Sequence, residues 1–329
     1  SITNSGKFKI GSNQFTKCDE LKKIEIKASS NDSTNHFEVE FGQNCFSGLK
    51  KLTQFEITGG DLTIDNFCFK DCTSLKSLKL RKMKKIKIEK DQFYNCKMLK
   101  TISIDSESIV DLCHNCFSGL SHLESFHVNA KEILVGNKCF ENCCILTQIM
   151  FIRPVKITLG SNVFSKCDKL WNVDFRAVSQ LVFGDSCFMG SSVKTANFQS
   201  QTVTLKSSCF RDCSTIISLS IPSSNDVEIE SRAFENCKCI EKVEVKNFDS
   251  LKIGEKCFYG DKNLSIIDFQ GSEVTIGSFG FYFCHALKTF DLKMANKVKF
   301  DDYVFSDCKF LEKVNVEASS EIRAGNYCF

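Results

Sequence analysis

Proline is almost missing from this chain. Pro154 and Pro222 are the only two in 329 residues, so no proline-rich linker divides it. No run approaches the roughly 18 consecutive apolar residues that a membrane-spanning helix needs, so no membrane insertion is expected of this segment. Charge of one sign is not in excess either. With 43 basic and 40 acidic side chains the net charge is +3, which gives no global pull toward nucleic acid or an anionic membrane. Ser1 to Gly11 carry neither the basic nor the apolar region of a secretion signal. The phrases G-x-S-x-G, H-E-x-x-H, G-x-x-x-x-G-K-[ST] and G-x-G-x-x-G are all missing. The five histidines (His36, His114, His122, His127, His285) fall at unrelated phases of the repeat described below, with no nucleophile–base pairing in view. An enzyme is therefore not expected, and no cofactor is implied.

Two residue types are abundant: 31 phenylalanines and 20 cysteines. The phenylalanines set the register of the chain. Phe15, Phe46, Phe69, Phe93, Phe117, Phe140, Phe164, Phe188, Phe210, Phe234, Phe258, Phe281, Phe305 and Phe329 recur at 22 to 24 residues, with a first interval of 31. From each anchor the pattern reads F-x-x-C-x-x-L-x-x-[IVLF]-x-[IVLF], then [VIL]-x-[ILF], often Gly, and the next Phe. In the turn after Phe69 these positions are Cys72, Leu75, Leu78, Leu80, Ile86 and Ile88. Both alternating stretches have period 2, the period of strands rather than helices. One turn cannot bury its own apolar face; stacking turns closes a continuous core. The glycines after the second strand, such as Gly42, Gly136, Gly160 and Gly254, are expected to supply unusual backbone angles at a tight corner.

A longer period overlies the first. The residue three after the anchor is Cys except at Leu49, Leu120, Ser191 and Asp261, which are 70 or 71 residues apart, so the unit is a block of three turns. The 31-residue interval holds an insertion near residues 29–36, rich in Ser, Asn and Asp and read as a surface loop. Residues 1–329 read as one solenoid of about 13 turns, cut within a turn at both ends and without visible polar caps. Cysteine in a core-facing column is first a small buried hydrophobe, and free thiols are the preferred reading over a disulfide ladder between neighbouring turns. Cys113-His114-Asn115-Cys116 is a lone C-x-x-C, with no second matched pair to complete a zinc site.

The phrases [A/C]-F-x-x-C-x-x-L-x-x-I-x-I and I-G-x-x-x-F resemble the BspA-like (Treponema-type) leucine-rich repeats over essentially the whole chain. The cysteine-rich form is closest in style to members from parasitic protists such as trichomonads and Entamoeba. Proline seldom follows the I-x-I strand, and Met83 stands where other leucine-rich repeats have Asn. The resemblance implies a right-handed, β-rich solenoid arc with a parallel sheet on its concave face and a second short strand per turn. It also implies a cell-surface or extracellular role in attachment to host cells or matrix. Fold alone does not give function, and an intracellular, cytoplasmic scaffold is the alternative.

A solenoid face is a natural binding surface, and its outward side chains fall eight, ten and twelve residues after each anchor. Most are polar, as at Lys23, Glu25 and Lys27. Met150 and Ile152, followed by Trp171, Asp174 and Arg176, have hot-spot composition and form the first candidate site, for a protein or glycan. The plainer reading has Trp171 lying over the core edge. The second candidate is the basic cluster Lys79, Arg81, Lys82, Lys84, Lys85 and Lys87, suited to a polyanion such as a sulfated glycan or, more plainly, a solvated face. Sequons stand at Asn31 and Asn263.

Overall fold

The computed structural model describes residues 2–4, 6–28 and 37–329, with backbone alone at residues 2–4, 28, 174, 176 and 177. The loop expected at residues 29–36, with Asn31 and His36, lies outside the described residues. The chain is a parallel β-solenoid of about 12 turns, against 13 expected, and its described residues contain strands and turns but no helix. It forms two compact units, Ser1–Leu170 and Trp171–Phe329.

In the first unit, period-2 alternation becomes inward columns, because each strand pairs in parallel with its counterpart one turn on. Phe55, Leu78, Ile102, Phe126 and Ile149 form one buried column. Val39, Leu62, Ile86, Val110, Ile133 and Ile157 form another, on the second strands. The second unit repeats the plan, with Ala196, Leu219, Val243, Ile267 and Phe290 in one buried column. The anchors close the core from the turn side. In the first unit Phe69 and Phe93 stack at 5.0 Å with 3° between ring planes, and in the second Phe188 and Phe210 stack at 4.9 Å and 1°. Each stacked pair adds roughly 0.5–1.5 kcal/mol beyond area burial.

The two strands of a turn are often one. Gln54–Ile64, Ser77–Ile88, Lys242–Ile253 and Thr289–Phe300 each run through both expected strands. Register shifts between Gly60 and Leu62, and between Lys246 and Phe248, let the backbone bend without leaving the ladder. Gly60 is required at its bend, since φ is +86° and a Cβ would stand 2.2 Å from the Phe37 carbonyl oxygen. Gly60→Ala is expected to cost about 2 kcal/mol or more, seen as a lower urea midpoint; an unchanged midpoint contradicts this role. The strands stay separate at Ser125–Asn129 and Glu132–Val135, and at Gln148–Ile152 and Lys156–Leu159.

The corner glycines after the second strand are not there for unusual angles, which corrects the expectation from sequence. None of Gly42, Gly136, Gly160 and Gly254 has positive φ. Their reason is close approach between turns: a Cβ at Gly254 would lie 2.5 Å from the Ser231 backbone nitrogen. The left-handed conformation falls instead two residues before the anchor, at Asn44, Asn115 and Asn162 in the first unit. In the second unit Phe279, Tyr303 and Tyr327 occupy that place, with φ of 60°, 60° and 52°. Their strain, roughly 1–2 kcal/mol each, is offset by ring stacking at 5.0 and 5.2 Å.

Candidate functional site

The outward face of the first strands in the first unit is a grid. Glu56, Lys79, Ser103, His127 and Met150 stand in one column, and Asp105, Asn129 and Ile152 in the next. Most of this grid is polar. Met150 and Ile152 break the pattern with relative exposures of 40% and 37%.

Beside them the structure opens a cleft that sequence reasoning missed. Its volume is about 610 Å³, and Asp105, Ser106, Glu107, Asn129, Ala130, Lys131, Arg153 and Val155 line it. The cleft exists because consecutive turns break their strands at the same place. Arg153 enters the left-handed region (φ 56°) directly before Pro154, and the backbone rejoins the ladder through Val155 N–H donating to the Lys131 carbonyl at 2.7 Å. A residue before proline strongly disfavours helical angles, so this bend is strained. Asn129 donates from Nδ2 to Asp105 Oδ1 at 2.7 Å and fixes one wall. Val155 is half-exposed, and His127 Nε2 is buried without a hydrogen-bond partner. Pro154, one of two prolines, was the available signal in the sequence.

Trp171, Asp174 and Arg176 belong to the second unit. Trp171 is exposed, and its carbonyl accepts the Lys194 N–H; the Lys194 carbonyl accepts the N–H of Ile217, which is also exposed. Asp174 and Arg176 pair through the backbone with Asn197 and Gln199, and their side chains lie outside the described residues. The eight, ten, twelve phase slips by one in the 22-residue interval after Phe188, where Ala196 is buried and Thr195, Asn197 and Gln199 face outward.

The basic cluster sits on Ser77–Ile88 and is divided by the bend at Lys82, whose φ is 51°. Arg81 Nε lies 3.1 Å from Glu56, and Lys82 N–H donates to Asp105 Oδ2 at 3.3 Å. Lys87 pairs with Glu89; that hydrogen bond raises the lysine's pKa and lowers the carboxylate's. Lys79 and Lys84 are half-exposed and Lys85 is exposed.

The cysteines form a hydrogen-bonded column. Cys72, Cys96, Cys143 and Cys167 donate from Sγ to the carbonyl of the anchor Phe one turn earlier (Phe46, Phe69, Phe117 and Phe140), at 3.0 to 3.2 Å. Cys213, Cys237, Cys284 and Cys308 do the same in the second unit at 3.1 to 3.2 Å. Every cysteine is unpaired. Burial pushes the thiols of Cys96, Cys143, Cys167, Cys213, Cys237, Cys284 and Cys308 up, Cys213 to about 12, so they remain protonated and unreactive. Cys113 sits in a cleft of about 370 Å³ with Glu89, Asp111 and His114. Burial first, then Asp111 and Glu89, push it up to about 12, which leaves no thiolate for nucleophilic work. His114 Nδ1 accepts the Asn137 N–H at 2.9 Å, and among the described residues no cluster of three or more ligand side chains is placed to hold a metal.

One position breaks the column with a charge-bearing group. Asp261 is fully buried where other turns have Cys, and neither carboxylate oxygen has a hydrogen-bond partner. Burial holds its pKa far above the ordinary 3.8; the Cys237 backbone opposes the shift and Glu235 adds to it. Gln92, also buried at a usual Cys position, is satisfied: its Oε1 accepts the Cys68 N–H at 3.1 Å, and its Nε2 donates to the Asp65 carbonyl.

A stack of Phe-anchored, Leu-bearing turns with parallel strands defines the class, a leucine-rich-repeat solenoid. The model for the BspA type leucine-rich repeat region matches in six copies across residues 39–171, 135–252 and 227–329, and the chain belongs to that family. No curated protein matches. Among solved structures, a leucine-rich repeat protein from Bacteroides ovatus is 19% identical, with 93% of this chain and 85% of that one covered and a TM-score of 0.48. A leucine-rich repeat protein from Eubacterium ventriosum is 13% identical over 88% and 82% of the two chains, with a TM-score of 0.37. Another, from T. pallidum, is 17% identical over 58% and 79%, also at 0.37. Repeats of this family often form non-enzymatic binding or adhesion modules and are often surface-exposed.

Proposed function

We propose that this chain is a non-enzymatic binding module, acting at a cell surface in attachment to host cells or extracellular matrix through a protein or glycan ligand. The observation that carries the reading is the pair of exposed apolar side chains Met150 and Ile152 on an otherwise polar strand face, next to an open cleft whose wall includes the exposed Val155. Apolar side chains rimmed by charge are what an interface core needs. The cysteine-rich turns support placing the chain with the family's protist members. Trp171 with Ile217 offers a separate contact point on the second unit. Lys79, Lys84 and Lys85 are the part of the basic cluster best suited to a sulfated glycan.

The test is binding of the whole chain to immobilised extracellular-matrix proteins and to heparin. Met150→Asp with Ile152→Asp is expected to weaken matrix binding at least about tenfold, equivalent to about 1.4 kcal/mol, without moving the melting temperature. Reversing Lys79, Lys84 and Lys85 to Glu is expected to act on heparin alone. A wild-type chain that binds none of these surfaces, or an Asp pair that binds as well as wild type, overturns the reading.

The cysteines favour a second reading, an intracellular scaffold. Eight thiols are committed as donors to backbone carbonyls, a role lost on oxidation and best kept in a reducing compartment. Counting reactive thiols in denaturant, with and without reductant, on protein isolated from its own cell separates the two.

A further inference from the structure

The cleft of the first unit has a charge order, and that order narrows the ligand. Asp105 and Glu107 lie on one turn, Lys131 on the next, and Arg153 with Val155 on the third. Register fixes this sequence: Asp105 pairs with Asn129, and Asn129 with Ile152. Strands of neighbouring turns are about 4.8 Å apart, so the carboxylates and the Arg153 turn are separated by about 10 Å. A peptide extended in the polyproline II conformation advances about 3.1 Å per residue with three residues per turn, so it covers that distance in three residues and returns to the same face. Arg153 is held at the lip in a left-handed conformation directly before Pro154, a strained placement that cleft packing does not require, because Val155 and Ala130 supply its apolar wall. The cleft carries no aromatic side chain on which a sugar ring can stack. Its volume falls within the usual range for ligand pockets, roughly 300–1,000 Å³.

We infer that this cleft binds an extended protein segment carrying a Lys or Arg at one position and an Asp or Glu three residues away, with apolar side chains between them. The basic side chain meets Asp105 and Glu107, the acidic one meets Arg153, and the middle residues cross the turn of Asn129, Ala130 and Lys131 between them. This rests on the reading of the chain as a binding module and goes beyond it by choosing peptide over glycan.

Fluorescence polarisation on the whole chain tests the idea with labelled eight-residue peptides. One carries Arg-Val-Val-Glu between glycine pairs, a second the reverse order, and a third the same composition with Arg and Glu adjacent. Cellohexaose serves as a competing glycan. At least one of the spaced peptides is expected to bind ten or more times tighter than the adjacent-charge peptide. Arg153→Glu should weaken it at least tenfold and should instead prefer a peptide with Arg at both charged positions, a swap that a merely misfolded variant does not produce. Equal binding of spaced and adjacent peptides, or no effect of Arg153→Glu, overturns the inference. Binding of cellohexaose without peptide overturns it while leaving the binding module intact, whereas a chain that fails on every matrix surface removes the module itself.

Discussion

Replacing Asp261 by Cys is expected to raise the stability of the second unit by roughly 2 kcal/mol or more at neutral pH, and to remove part of its pH dependence. The acid is fully buried with both oxygens unpartnered, where eight other turns place a thiol that donates to a Phe carbonyl one turn earlier. By the repeat spacing, the Phe234 carbonyl is the acceptor expected for a thiol at residue 261. Because burial raises the folded pKa above the ordinary 3.8, both folded and unfolded chains are protonated below that value and the unit keeps its full stability. As pH rises, the unfolded chain ionises while the buried acid keeps its proton, so stability falls until the folded pKa is passed. Wild type should therefore lose stability relative to Asp261→Cys from about pH 4 upward, and the gap should narrow to a constant value below it. A gain of about 2 kcal/mol is worth on the order of 5 °C in a unit of this size. Parallel urea midpoints for the two chains between pH 3 and pH 8 rule out this account.

The largest loss is expected at an anchor. Phe140 is fully buried in the first unit, with ring centroids 5.2 Å from Phe117, 5.3 Å from Phe164 and 4.6 Å from Phe126. Phe140→Ala removes its transfer energy and leaves a cavity, together roughly 3–5 kcal/mol. A solenoid turn touches only its neighbours, so the damage interrupts the stack on both sides and cannot be shared with a distant core. Tyr94→Ala is the comparison. Tyr94 is an aromatic beside an anchor but 64% exposed, and its loss should stay within about 0.5 kcal/mol. Denaturant midpoints of the two variants that fall together contradict the anchor's role.

The sequence carried the repeat because every turn repeats the same physical demand. A Phe at the corner, a small residue three positions on and two period-2 stretches are enough to place Phe55, Leu78 and Ile102 in one column. What it did not carry depends on how turns meet. Whether two strands fuse is decided by a bulge that one turn accepts from its neighbour, as at Gly60 against Phe37, and a single turn's pattern does not encode it. The corner glycines look like conformational devices in one dimension and prove to be spacers between turns. The cleft needs breaks at the same phase in consecutive turns, and Pro154 alone announced one of them. Met150 and Ile152 were legible as exposed apolar residues because strand phase is local; the polar partners that give a site chemistry, Asp105 and Lys131, come from other turns.

The thiol column also makes the chain its own stopwatch. A thiol reagent reaches Cys72, Cys143, Cys213 or Cys284 only when that turn opens, because each is buried, whereas Cys18, Cys144 and Cys239 are exposed and react at once. The labelling rate at each buried position, set against the exposed ones, gives the free energy of opening for that turn. Fraying from an end, melting by units and opening around the unpartnered Asp261 each leave a different order of labelled turns, readable by mass spectrometry with no engineered probe.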